Sequence, residues 1–174
     1  MALISKKSLT FVVVFAAIVA AGVVLYLYYP MAPSHTPQSI STSTTTPTIT
    51  EVQIGTTTIN VEVESTDASR EQGLSGRTSL APGNGMLFVF QQDGDWGFWM
   101  KDMNFPIDII FISATQTPNV GAVVSVAANA SPAGYLENPP QVFYPPLAVR
   151  YVLEVPAGFA LAHNIVGGSV FQFK

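Results

Sequence analysis

From Glu51 to Lys174 the chain alternates apolar and polar residues in twos. Ile59, Val61 and Val63 leave one side while Asn60, Glu62 and Glu64 leave the other. Successive side chains on a strand point to opposite faces, so this spacing predicts a half-buried strand. Val52-Gln53-Ile54, followed by Gly55-Thr56, reads as the first arm of a hairpin. Arg150 to Val155 alternates again, and Val170 to Phe173 closes the chain. Met86 to Phe90 and Ile107 to Ile112 are almost continuously apolar, which predicts strands covered on both faces. Val120 to Val126 reads as a further strand, and Asp93-Gly94 as a turn into an aromatic one, Trp96 to Met100. Helix is scarce. Asp67 is placed to cap a turn through Gln72, stopped at Gly73, and Phe159 to His163 reads as a second turn, stopped at Asn164. Pro139-Pro140 and Pro145-Pro146 mark a long irregular loop. The expected fold is mostly β: a compact β-sandwich or barrel-like domain with one or two short helical turns.

Two other compositions precede this domain. Leu9 to Tyr29 is a run of 21 residues without a charge, enough helix to cross about 30 Å of bilayer core. Lys6 and Lys7 stand before it and the next charge is Glu51, which places residues 1–8 in the cytoplasm and the rest outside. The run is longer than a cleavable signal's apolar region and ends in bulky Leu25-Tyr26-Leu27-Tyr28-Tyr29, so it reads as a retained signal anchor over residues 9–29. Residues 30–50 are nearly all Ser, Thr and Pro, an extended linker that cannot build a core. The expected arrangement is a single-pass protein of the cytoplasmic (inner) membrane carrying domain 51–174 outside.

Composition closes several routes to function. The chain has 7 Lys+Arg against 11 Asp+Glu, which argues against a nucleic-acid partner bound through phosphates. It has no cysteine, hence no disulfide, thiolate metal site or cysteine nucleophile. His163 is the only histidine beyond residue 50, so no multi-histidine metal centre is available, and neither a metal nor a cofactor is expected. There is no Gly-x-Ser-x-Gly elbow and no phosphate-binding glycine loop. Only about 13% of residues 51–174 are charged, about half the usual share, so each charge there is worth weighing as a site residue.

Several blocks recur in a recognisable order. They are Arg70-Glu71-Gln72-Gly73-Leu74, Arg77, Gly85-Met86-Leu87-Phe88-Val89-Phe90, Phe98-Trp99-Met100-Lys101, Pro106 to Phe111, and Leu153-Glu154-Val155-Pro156-Ala157-Gly158. Together, over roughly residues 57–173, they resemble the domain-of-unknown-function family 192. The resemblance implies a compact, mostly β domain, often secreted or membrane-tethered in prokaryotes, and no agreed activity. Two departures stand out. Asp102-Met103 replace the family's usual Asn-Thr, and Gly168-Ser169 replace its closing Gly-Asp.

Six residues are candidates for ligand binding: Arg77, Trp99, Lys101, Asp102, Asp108 and Glu154. Asp108 interrupts an apolar strand, and a buried carboxylate needs a partner, for which Arg77 or Lys101 are the expected choices. Glu154 lies on the face opposite Tyr151 and Leu153, beside Arg150, and reads as a solvated pair with it. Trp96, Phe98, Met100 and Asp102 should share one face of their strand and Trp99, Lys101 and Met103 the other, one face core and one a candidate groove. The leading reading is a non-catalytic binding module for a small or saccharide-like ligand or an envelope partner. A carboxylate hydrolase using Asp102 and Asp108 requires both to open into one cleft. A purely structural interaction domain requires an exposed apolar patch instead.

Overall fold

The computed structural model describes residues 49–174. The expected cytoplasmic segment 1–8, the anchor 9–29 and nearly all of linker 30–50 lie outside the described residues. Among the described residues no helix is long and apolar enough to cross a membrane.

Seven strands close into a barrel. In chain order they are β1 (Ile49–Ile54), β2 (Thr57–Glu64), β3 (Asn84–Gly94), β5 (Ile107–Ala114), β6 (Val120–Ala130), β8 (Val149–Pro156) and β9 (Val170–Phe173). Around the ring the order is β1-β2-β3-β8-β5-β6-β9. The expected sandwich or barrel is therefore a barrel, and β1 begins two residues before the anticipated domain start. Gly55, at a φ of 60°, makes the β1–β2 hairpin turn that the sequence signalled. Every ring pair is antiparallel except β2 and β3, which run parallel.

Two cores explain the two kinds of apolar pattern. One takes residues from all seven strands, among them Ile54, Val61, Leu87, Ile110, Val123, Leu153 and Phe171, and so fills the interior of the ring. The other takes Met86, Phe88, Ile107, Ile109, Phe111, Val149 and Val152, drawn mainly from β3, β5 and β8, together with Leu74 and Met100 from the connections. It lies on the outer wall, where a second layer covers three adjacent strands. Of these, β3 and β5 carry the runs that are apolar on both faces because both faces are removed from water, while β8 keeps Arg150 and Glu154 in its alternation. The remaining strands are covered on one face and alternate.

The outer layer comprises α1 (Asp67–Gln72) and a two-stranded sheet of β4 (Phe98–Trp99) and β7 (Val142–Phe143). The expected hairpin at Asp93-Gly94 does not form. Strand β3 runs through Gly94, its register with β8 shifts between Val89 and Gly94, and the aromatic segment leaves the barrel. The cause is Trp96. Its ring stacks on Phe90 at 4.2 Å, its indole N–H donates to the Val149 carbonyl, and a Cβ at Gly94 would lie 2.8 Å from it. Both expected helical turns are present, α1 and α3 (Phe159–Ala162), with a third, α2 (Pro132–Tyr135), between them. The cap of α1 is Thr66 rather than Asp67: Thr66 and Ser69 form a reciprocal capping box, and Asp67 is left to pair with Arg70.

Candidate functional site

Arg77 does not reach Asp108. Its two terminal nitrogens each donate to one Glu62 oxygen at 2.7 Å, a bidentate pair at the edge of β2. The hydrogen bonds from Arg77 hold the Glu62 carboxyl below its ordinary value against a smaller opposing effect of burial. That stabilisation is full above the unfolded carboxylate range and is lost as pH falls through the lowered folded value. Because both side chains are partly solvated, Arg77→Ala is expected to cost about 1 kcal/mol at neutral pH. The cost should shrink below about pH 4, where even unpaired carboxylates protonate. Urea unfolding at pH 7 and pH 3 checks both parts.

Asp108 is 0% exposed and has no cationic partner among the described residues. It shares the inward face of β5 with Ile110, at the barrel end beneath α3. Its Oδ1 accepts the backbone N–H groups of Asn129 at 2.8 Å and Gly158 at 3.1 Å, and Oδ2 accepts that of Ala160 at 2.9 Å. The expected ion pair is replaced by three main-chain donors, which satisfy the charge without a cation. Asp102 takes no part in this arrangement and is exposed in the turn after Met100 at a φ of 55°. The hydrolase that needed Asp102 and Asp108 in one open cleft is overturned, since one of the two is sealed.

Glu154 reverses its expectation as well. Arg150 pairs with Asp93 at 2.7 Å, and no ion pair among the described residues includes Glu154. Glu154 faces the outer wall with Val152, flanked in register by Met86 of β3 and Ile109 of β5, and is 5% exposed. No described residue hydrogen-bonds its carboxyl, yet no fully buried oxygen lacks a partner. Its oxygens are therefore not wholly shut off from the space that Glu154 lines. Burial alone pushes this carboxyl up to about 8.

Those oxygens open into a cleft of about 250 Å³ between the β3–β8 wall, α1 and the β4 segment. Phe88, Phe90, Trp96, Phe98 and Trp99 supply its aromatic walls, and Arg70, Glu71 and Lys101 stand among its polar lining. Phe98 packs edge-on against Phe88 at 4.9 Å, and Trp99 leans out, 56% exposed, with Tyr135 beside it. Arg70 is spent on structure: it donates to the carbonyls of Ser65 and Val89, pairs with Asp67 and lies 5.0 Å over the Phe90 ring. Lys101 has no carboxylate within ion-pair distance among the described residues. A wider cleft of about 410 Å³ adjoins the first, sharing Glu71, Gln72, Ser75 and Lys101 and adding Asp102.

The structure thus gathers Trp99, Lys101 and Glu154 in one cleft and places Asp102 next door. It sets Arg77 and Asp108 apart. Sequence reading missed Arg70, Phe88 and Phe98 as lining. Phe98 was signalled by the alternation of its strand, which put Trp99 and Lys101 on the opposite side. Among the described residues no group of three or more metal-ligating side chains comes together.

Two solved structures share the fold. A Sinorhizobium meliloti 1021 protein, provisionally described as a transcription regulator, is 27% identical, with a TM-score of 0.63 over 73% of this chain and 95% of its own. A protein of unknown function from Novosphingobium aromaticivorans DSM 12444 is 26% identical, with a TM-score of 0.64 over 75% of this chain and 89% of its own. No curated protein matches the chain. The family model DUF192, described as an uncharacterized ACR, matches residues 48–173. The order of blocks, the barrel they form and this match agree: the chain belongs to the DUF192 family.

Proposed function

We propose that the chain is a membrane-anchored, extracytoplasmic binding module that takes a small or saccharide-like ligand into the cleft over β3 and β8 and performs no chemistry on it. The observation that carries this reading is Glu154, a lone acid at the base of an aromatic-walled cleft. A buried polar group without a protein partner is costly and marks a site of use. Aromatic walls with a few convergent polar groups suit a small ligand. A dry cavity of about 150 Å³ holds one benzene ring, so about 250 Å³ suits one substituted ring. Anchoring rests on the uncharged run at residues 9–29. The regulator description of the Sinorhizobium protein is not carried over, because acids outnumber bases here.

The test is a titration of the purified full chain with a panel of monosaccharides, chito-oligosaccharides and cell-wall fragments, followed by NMR shifts or calorimetry. Binding that Trp99→Ala weakens at least about fivefold is expected, since one stacking aromatic is worth about 1–3 kcal/mol. A silent panel overturns the reading, and release of nitrophenol from nitrophenyl glycosides overturns its non-catalytic part. A second reading, docking of an envelope protein, is favoured by the exposed Leu136, Tyr144 and Leu147 between β6 and β8. Cross-links to a partner through this loop, lost on Leu147→Asp, would support it.

A further inference from the structure

Glu154 is the deepest polar group of the cleft, and nothing titratable faces it from the barrel wall. Its register neighbours are Met86 on β3 and Ile109 on β5, and Phe88 and Phe98 are among the rings that line its cleft. The charges come from the outer layer alone: Arg70 and Glu71 on α1, and Lys101 after β4. Resting on the binding reading above, we infer that the cleft selects an uncharged ring, and that the Glu154 carboxylic acid donates a hydrogen bond to an oxygen of that ring.

Both kinds of ion are disfavoured at depth rather than at the mouth. A cationic group would pass Arg70 and Lys101, and an anionic group would find Lys101 only at the rim. Either must give up its water against the aromatic walls to reach Glu154, whose register neighbours Met86 and Ile109 offer no charge in its place. An uncharged ring keeps its apolar faces on the aromatic side chains and needs one polar contact at depth, which Glu154 alone can supply. Burial keeps that carboxyl protonated up to about pH 8, so a donor is in place at neutral pH. No described side chain accepts this proton in the empty cleft, leaving it free for a ligand oxygen.

Three probes that differ in one group test the inference on the full chain: methyl glucoside, methyl glucosaminide as its ammonium form, and methyl glucuronide as its carboxylate. At pH 6 the uncharged glycoside is expected to bind at least about tenfold more tightly than either ion. Its affinity should then fall about tenfold per pH unit above about pH 8, as the donor is lost. Glu154→Gln keeps an N–H donor, so it should bind within a few-fold of the parent at pH 6 and lose the pH dependence. Glu154→Leu should lose tenfold or more. Tighter binding of either ion, an unchanged pH profile in Glu154→Gln, or full affinity in Glu154→Leu overturns the inference. The glutamine variant decides the matter if the leucine variant does not fold. Silence of all three probes also overturns it. The broader binding reading then stands if another panel member binds, and falls with it if none does.

Discussion

Replacing Glu154 with glutamine is expected to flatten the pH dependence of stability between about pH 5 and pH 8. In the unfolded chain this carboxyl loses its proton near its ordinary value of 4.5, whereas in the folded barrel burial holds the proton to about 8. Between those limits the folded state binds more protons than the unfolded one, so stability falls as pH rises. The slope is about 1.4 kcal/mol per pH unit, and the accumulated loss by pH 8 is roughly 3–5 kcal/mol. Below the unfolded value the penalty is absent, and above about 8 it is complete. Glutamine has nearly the same shape and no proton to lose. Urea unfolding of the full chain and of Glu154→Gln at one-unit steps from pH 5 to pH 8 should give curves that diverge steadily. Parallel curves would mean that the carboxyl is solvated. The cost falls at the cleft, where the fold retains an acid that a leucine could replace with a gain in stability.

The second large effect belongs to Asp108. Alanine there leaves three main-chain N–H groups, those of Asn129, Gly158 and Ala160, without an acceptor inside the barrel end. Each orphaned donor costs about 1–3 kcal/mol, so Asp108→Ala should lose roughly 4–6 kcal/mol, near the limit of what a small domain survives. Asparagine should be milder. Its oxygen can take the place of Oδ1 and keep two donors, while its NH2 group meets the Ala160 N–H. That leaves one orphan and a loss of about 1–3 kcal/mol. Thermal and urea unfolding of the two variants test this order. Alanine costing no more than asparagine would mean that water or a neighbour replaces the lost acceptor.

The two acids also show how far the sequence could be read. An aspartate after Pro106 within an apolar strand is legible as buried, and Asp108 is buried. Its partners are main-chain groups, which every residue carries, so no side-chain pattern announces them. Glu154 was misread because an alternating strand looks the same whether its polar face meets water or a second layer. The layer over it comes from Leu74, Phe98 and Met100, more than fifty residues away in the chain. The doubly apolar runs of β3 and β5 did signal that such a layer exists. The parallel pairing of β2 and β3 was not legible, since local alternation carries no strand direction. The alternation of the Trp96–Met103 segment predicts opposite faces for Phe98 and for Trp99 with Lys101, yet both sides line one cleft because the segment leaves the barrel wall; on the α1 side only the Arg70–Leu74 block of the family resemblance marks the residues that close it.

Strands β1 and β9 are neighbours in the ring, with Ile54 opposite Phe171 and Val52 opposite Phe173. The first and last strands of the domain are thus stitched to each other, and the ring closes only when residues 170–173 have joined. During synthesis, β1 and β6 must wait with open edges that invite pairing between molecules. Closure by the most distant parts of the domain also gives many long-range contacts, which slows folding. Ends that meet in space can equally be spliced. A chain re-cut in the exposed turn at Thr115–Pro118, with a short linker from Lys174 back to Ile49, would write the same ring from a different starting point.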